Sequence, residues 1–272
     1  MKRIILILSV SLLAFGNLQH DYLNIGISPR VQALGGVGEI CAAGPDSVYY
    51  CPALLVNSMK TFQAGMSFPG IDQQLTYAYY TMGNASLGYL TIGTVINQVA
   101  NIEERVAISN EPDQYSSILD TLFVLGIAKK LSNTTSMGLN LMVFGDNYQA
   151  HPKGEATFTA GISHTFTDCL QVTIIGKATE SNKRSVSTGV RLKVLDGVNI
   201  YSTQDGSDGA LTCKGGVSIA VADILDLLVG YNGVGVSYGL SMDTDGLGIE
   251  LAYTDTPLGG QCSIGISLGV QK

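Results

Sequence analysis

The chain has no tryptophan, three histidines and few charges. Lys and Arg number 15 against 22 Asp and Glu, which gives a formal net charge of −7 and a charged fraction of 14%. Globular proteins carry about 25% charged residues. Nucleic-acid binding needs clustered Lys and Arg, so the acidic balance excludes nucleic acid as a partner. His20, His151 and His164 have no metal-ligand spacing, and Cys41, Cys51, Cys169, Cys213 and Cys262 include no Cys-x-x-Cys. Neither a metal site nor a cofactor is therefore expected. Five cysteines leave at least one without an intramolecular partner. They read as small apolar residues, although an oxidising compartment would allow a Cys41–Cys51 bridge. After residue 16 no apolar run approaches the roughly 18 residues that a membrane helix requires.

What the chain does have begins with a basic start at Met1, Lys2 and Arg3, followed by an apolar stretch from Ile4 to Phe15. Ala14 and Gly16 are small residues placed for cleavage after Gly16. Residues 1–16 therefore read as a secretory signal peptide, too short to be a good membrane span. No cysteine follows the cut, which argues against a lipoprotein anchor. The remainder divides into an N-terminal segment over 17–60 and one large domain over 61–272. Glycine is abundant, at 33 of 272 residues, and 46% of the chain is hydrophobic. High hydropathy without helical spans leaves two fold classes, a compact soluble β protein or a transmembrane β-barrel.

The pattern from residue 60 onward has period two. In VGVSYGLSMD (234–243), Val234, Val236, Tyr238, Leu240 and Met242 share one face, and Gly235, Ser237, Gly239 and Ser241 the other. LGIELAYT (247–254), SIGISLGV (263–270) and SVSTGVRLKV (185–194) repeat it. Such alternation means strands with one apolar face. The second face is mostly Gly, Ser, Thr and Ala, which suits a crowded lumen better than a solvated sheet, while Val, Ile, Leu and Tyr suit lipid contact. Turn signals divide residues 60–272 into about fourteen antiparallel strands, the even number that a closed barrel needs. Tight turns at Gly83, Thr167, Asp196 and Ala222 broadly alternate with longer links. The alternation weakens after residue 223, where Asn232 and Gly233 form a further tight turn, and residues 95–118 read as the longest loop. Without tryptophan, any aromatic belt rests on Tyr and Phe.

Residues 28–55, SPRVQALGGVGEICAAGPDSVYYCPALL, contain a glycine run that fails as a dinucleotide loop. No apolar strand precedes it and no βαβ unit follows. The stretch instead resembles the N-terminal signature of FadL/PorV-type outer-membrane barrels. The matching residues are Arg30, Leu34, Gly35, Gly36, Gly38, Ala42, Asp46, Ser47, Tyr49, Tyr50, Pro52 and Ala53. Cys51 departs from the pattern, which usually has Asn there. The resemblance implies an all-β, closed fourteen-stranded transmembrane barrel in the outer membrane, with the N-terminal segment folded into the lumen as a plug. Arg30, Gly35, Gly36, Gly38, Asp46, Tyr49, Tyr50 and Pro52 would be its packing residues, with the three glycines against the wall. Glycine permits close backbone approach, and Pro45 and Pro52 fix turns.

No catalytic constellation is present. GKATES (176–181) lacks the upstream glycine spacing of a phosphate loop, and an enzyme is not expected. By parity Arg191, Lys193, Lys214, Asp243 and Glu250 face the lumen, where charges are costly unless paired or wet. They read as pairing charges or as a ligand head-group site. At least one of Arg191 and Lys193 is expected to pair with a plug carboxylate, Glu39 or Asp46. The resemblance implies two functions. One is a plugged barrel for hydrophobic or amphipathic small molecules. The other is a barrel that holds or escorts secretion-system or surface proteins. Outer-membrane lipid is the partner in both.

Overall fold

Val, Ile, Leu and Tyr at every second position favour extended chain, and a chain with one apolar face must cover or close its edges. The computed structural model describes residues 26–58, 60–70, 72–84, 86–104, 114–146, 154–180, 183–207, 210–256 and 259–269. The signal peptide expected over 1–16 lies outside them. Fourteen strands follow the N-terminal segment: β1 (Lys60–Gly70), β2 (Gln73–Asn84), β3 (Gly88–Glu104), β4 (Gln114–Lys130), β5 (Thr135–Asp146), β6 (Gly154–Thr167) and β7 (Leu170–Thr179), then β8 (Arg184–Leu195), β9 (Val198–Ser207), β10 (Ala210–Ala222), β11 (Leu225–Tyr231), β12 (Val236–Thr244), β13 (Leu247–Thr256) and β14 (Gly259–Gly269). Each pairs antiparallel with its sequence neighbours. β1 also pairs with β14, with Gly65 opposite Gly265, so the sheet closes on itself. The fold is a closed antiparallel fourteen-stranded β-barrel, as the alternation predicts.

The connections differ at the two ends. At the end where β1 starts and β14 stops, links of two to four residues join β2 to β3, β4 to β5, β6 to β7, β8 to β9, β10 to β11 and β12 to β13. Asn84 shapes one of them, its Oδ1 accepting from the amides of Ser86 at 3.0 Å and Leu87 at 2.8 Å. The end opposite this short-turn end also has links of two to four residues, except the longer ones over 105–113 and 147–153.

Two boundaries differ from expectation. The loop expected over 95–118 is largely strand, because β3 and β4 continue their ladder to Glu104 and Gln114. A bulge between Val99 and Ile102 allows this. Asn101 sits there at φ 55° and donates from Nδ2 to Asp72 Oδ1 at 2.8 Å. Polar residues carry the extension because the ladder is made by backbone groups, which need no apolar face. The tight turn expected at Asn232 and Gly233 spans 232–235, with Asn232 Oδ1 accepting from Val234 and Gly235.

Burial is arranged inside out. Phe123, Leu125, Ile127, Ile162, Leu240 and Ile266 are exposed on the outer surface. Tyr238, Tyr253 and Phe68 follow one level of the outer surface near the end opposite the short turns, linked through Cys262. Ser, Thr, Asn and Gln are buried on the inner surface.

Candidate functional site

The inner surface of small polar residues has an occupant. Residues 26–57 form three short helical turns, α1 (Pro29–Ala33), α2 (Gly38–Cys41) and α3 (Ser47–Tyr50), and a 3-10 stretch over Pro52–Asn57. Pro29 and Pro52 start two of these elements, at a position where the missing N–H costs nothing. Gly35 and Gly36, at φ 74° and 79°, end α1 in the left-handed region that L side chains avoid. The segment sweeps round the interior. α1 meets β11–β14, α2 meets β7–β9, α3 meets β4 and β5, and the 3-10 stretch meets β3–β6.

Glycines on the wall are its seats. A Cβ at Gly138 would stand 2.5 Å from the Pro52 carbonyl carbon, and one at Gly216 would stand 2.6 Å from the Leu34 oxygen. At Gly189 it would lie 2.8 Å from Ile40 Cβ, and at Gly126, Gly230 and Gly239 it would overlap Val48, Leu34 and Ala33. Gly35 returns the relation, because its own Cβ would lie 2.5 Å from the Tyr231 amide nitrogen. At Gly38 a Cβ would first meet the Tyr50 ring of the segment itself, because α2 and α3 fold onto each other. Tyr50 in turn stacks edge to face on Tyr49 at 4.9 Å and accepts the Ile27 amide.

The wall also satisfies the segment's irregular backbone. Thr173 Oγ1 donates to the Glu39 carbonyl at 2.8 Å and Ser136 Oγ to the Ala53 carbonyl at 2.9 Å, and Asn140 Nδ2 donates to the Val48 carbonyl. Buried carbonyls require such partners. The inner face is therefore small so that the segment fits, and polar so that its backbone is bonded. Asp46 is held similarly. Its carboxylate accepts from Ser28 Oγ at 2.5 Å and the Gly44 amide at 3.2 Å, while its own amide donates to Gln63 Oε1 at 3.1 Å. Burial pushes the Glu39 and Asp46 carboxyls above their usual range; neither residue belongs to a strand.

The five expected lumen charges separate. Lys193 lies near the short-turn end and pairs with Asp196 of the adjoining turn at 2.7 Å, holding that exposed carboxyl below its usual range. Arg191 faces inward with Nε lacking a hydrogen-bond partner. Among the described residues neither forms an ion pair with Glu39 or Asp46, so the expected partner is corrected. One ion pair between segment and wall has the opposite polarity, Arg30 Nη1 to Asp226 Oδ2 at 3.6 Å. The segment's cation meets the wall here because β11 brings Asp226 beside α1. Asp243 and Glu250 line a cavity of about 240 Å³ with Arg30, Asp46, Gln63 and Ser241. Lys214 faces Asp205 at 4.0 Å on the far arc. All five cysteines are free thiols, Cys41 and Cys51 buried within the segment.

No protein-family model and no curated protein matches the chain in sequence. Solved structures match it in shape. The Pseudomonas putida toluene transporter TodX superposes with a TM-score of 0.67 at 10% identity, covering 89% of this chain and 97% of that one. The Ralstonia pickettii toluene transporter TbuX gives 0.60 at 11% identity, covering 91% and 99%. The likeness is one of fold. These neighbours are transporters and not enzymes.

Proposed function

We propose that this chain is an outer-membrane β-barrel for the passage of hydrophobic or amphipathic small molecules, and that residues 26–57 are its plug. One observation carries the reading. A closed barrel presents an apolar outer surface, and its interior holds an irregular segment of its own chain by glycine seats and wall hydrogen bonds. Lipid accounts for the outside, since an exposed apolar band round a closed sheet has no other stable environment. The fold shared with two toluene transporters supports the substrate class. The partner-carrying alternative has no observation among the described residues in its favour.

The test is transfer of labelled toluene and octanoate into vesicles with an outer leaflet of lipopolysaccharide. Full-length protein should accelerate transfer over protein-free vesicles, and deletion of residues 26–57 should raise ion conductance well above that of the full chain. Transfer equal to protein-free vesicles would contradict passage, and equal conductance would contradict the plug.

A further inference from the structure

Charge is divided across the lumen. Lys177, Arg191 and Lys214 are inward on β7, β8 and β10, whereas Asp226, Asp243 and Glu250 are inward on β11, β12 and β13. The segment answers this division, with Arg30 turned to the acidic arc and Glu39 to the basic one. On the acidic arc one guanidinium faces more carboxyls than it can offset. The cavity of about 240 Å³ between the segment and this arc is lined by Arg30 and by the carboxyls of Asp46, Asp243 and Glu250. Arg30 is itself drawn toward Asp226 at 3.6 Å. Burial raises the Asp46 carboxyl, yet with Asp46 neutral the lining still holds two carboxylates against one cation.

The cavity deepens from the short-turn mouth. Asp243 is exposed there, Glu250 is half-buried, and Asp46 is buried. Glu250 pairs with Ser241 and Asp243 with Gly248, so the two acids are diagonal neighbours on adjacent strands. Long side chains in that relation reach each other. Tyr77 stands on the inner side. It is 1% exposed and its hydroxyl has no hydrogen-bond partner, and a buried hydroxyl without one is costly. A Cβ at Gly65 or at Gly265 would stand 2.5 Å from that hydroxyl. Gly265 is the cross-strand partner of Glu250. Gln63 and Ser267, the next inward residues beside these two glycines, line the cavity. The tyrosine oxygen is therefore aimed at the cavity's inner edge, beside Glu250.

We infer that this cavity is a binding site for the primary ammonium group of a small organic amine, entered from the short-turn mouth. A confined space lined by an excess of one charge concentrates the opposite ion. Among the described residues no group of three His, Cys, Asp or Glu is placed to hold a metal ion, so the acids surround the space without closing a coordination shell. An ammonium needs no such shell, because each of its three N–H groups donates singly. Placed beside Glu250, it has Asp243 on the mouth side and the Tyr77 oxygen on the inner side, in charge-assisted bonds. The charge balance of the lining sets the sign of the ligand, whatever other bonds Asp243 and Glu250 make. The volume exceeds the roughly 30 Å³ of one water and leaves room for a short alkyl chain. The site needs the closed barrel and the seated segment, and it stands whether or not the barrel passes apolar substrates.

Calorimetric titration of the full-length protein in dodecyl maltoside tests it, with butylammonium, tetramethylammonium, potassium and butan-1-ol as probes at one ionic strength. Butylammonium should bind more tightly than the other three. Glu250→Gln and Asp243→Asn should each weaken it about tenfold, the scale of one charge-assisted hydrogen bond. Tyr77→Phe keeps the ring over Gly65 and Gly265 and should weaken it about fivefold. Glu250→Asp keeps the charge and should retain most of the affinity, which separates loss of the site from loss of the fold. Heat-modifiable gel mobility checks the fold of each variant. Asp205→Asn removes a carboxyl from the far arc and should leave the affinity within about twofold, since screening weakens a distant charge. Unchanged affinity in Glu250→Gln, Asp243→Asn or Tyr77→Phe overturns the site. So does an equal loss in Asp205→Asn, which would mean that net charge and not the cavity attracts the probe. Potassium or tetramethylammonium binding as tightly as butylammonium overturns the ammonium group as the ligand, and butan-1-ol binding as tightly overturns the role of charge.

Discussion

Gly230 carries no side chain because the N-terminal segment runs through the space one would fill. A Cβ there overlaps Leu34 and Gly35 backbone atoms, which cannot rotate aside. Gly176 is the natural control, since a Cβ there meets nothing within 4 Å. Gly230→Ala should lower unfolding stability by about 1–3 kcal/mol, the range for overpacking, while Gly176→Ala should lose little. Thermal or urea unfolding followed by gel mobility would show it, and equal effects would mean that the segment is not held at Gly230. At this scale the sequence is partly legible. Parity places Arg191, Lys214 and Glu250 inward, as the paired strands do. The partners are not legible, because no spacing rule joins Arg30 to Asp226 across the barrel. Lys177 lies in GKATES, which reads as a failed phosphate loop, yet its parity with Thr173 and Ile175 was the available signal that it faces inward.

At the scale of the element, strands are clearest where one face is apolar throughout. β13 and β14 show this, with Leu247, Ile249, Leu251 and Tyr253 aligned against Leu268, Ile266, Ile264 and Cys262. The outer parts of β3 and β4 are not legible, because their polar residues carry no period and only the backbone ladder and the Asn101 bulge hold them. The segment's elements are too short for periodicity, and its shape depends on donors supplied by distant strands. Thr173 is one such donor. Thr173→Val keeps the shape but leaves the Glu39 carbonyl without this bond, and should cost about 1–3 kcal/mol. Thr188→Val, on the outward face of neighbouring β8, should cost far less. Similar unfolding midpoints for the two variants would show that the wall does not anchor the segment through Thr173.

At the scale of the whole molecule, the barrel's two surfaces answer to different solvents. The outside is apolar and unpartnered, and the inside is polar, small and matched to one particular stretch of the same chain. The central claim is that residues 26–57 occupy the interior of the closed barrel. The chain's own cysteines test it most directly. Cys41 and Cys51 are buried in the segment, while Cys169 lies exposed in the turn between β6 and β7. The full-length barrel in lipid vesicles, permeabilised so that both ends are reached, is treated with a hydrophilic maleimide and the labelled sites are read by mass spectrometry. The account predicts rapid labelling at Cys169 and protection of Cys41 and Cys51 until the barrel is unfolded. Labelling of Cys41 and Cys51 at the rate of Cys169 in the folded barrel would contradict it.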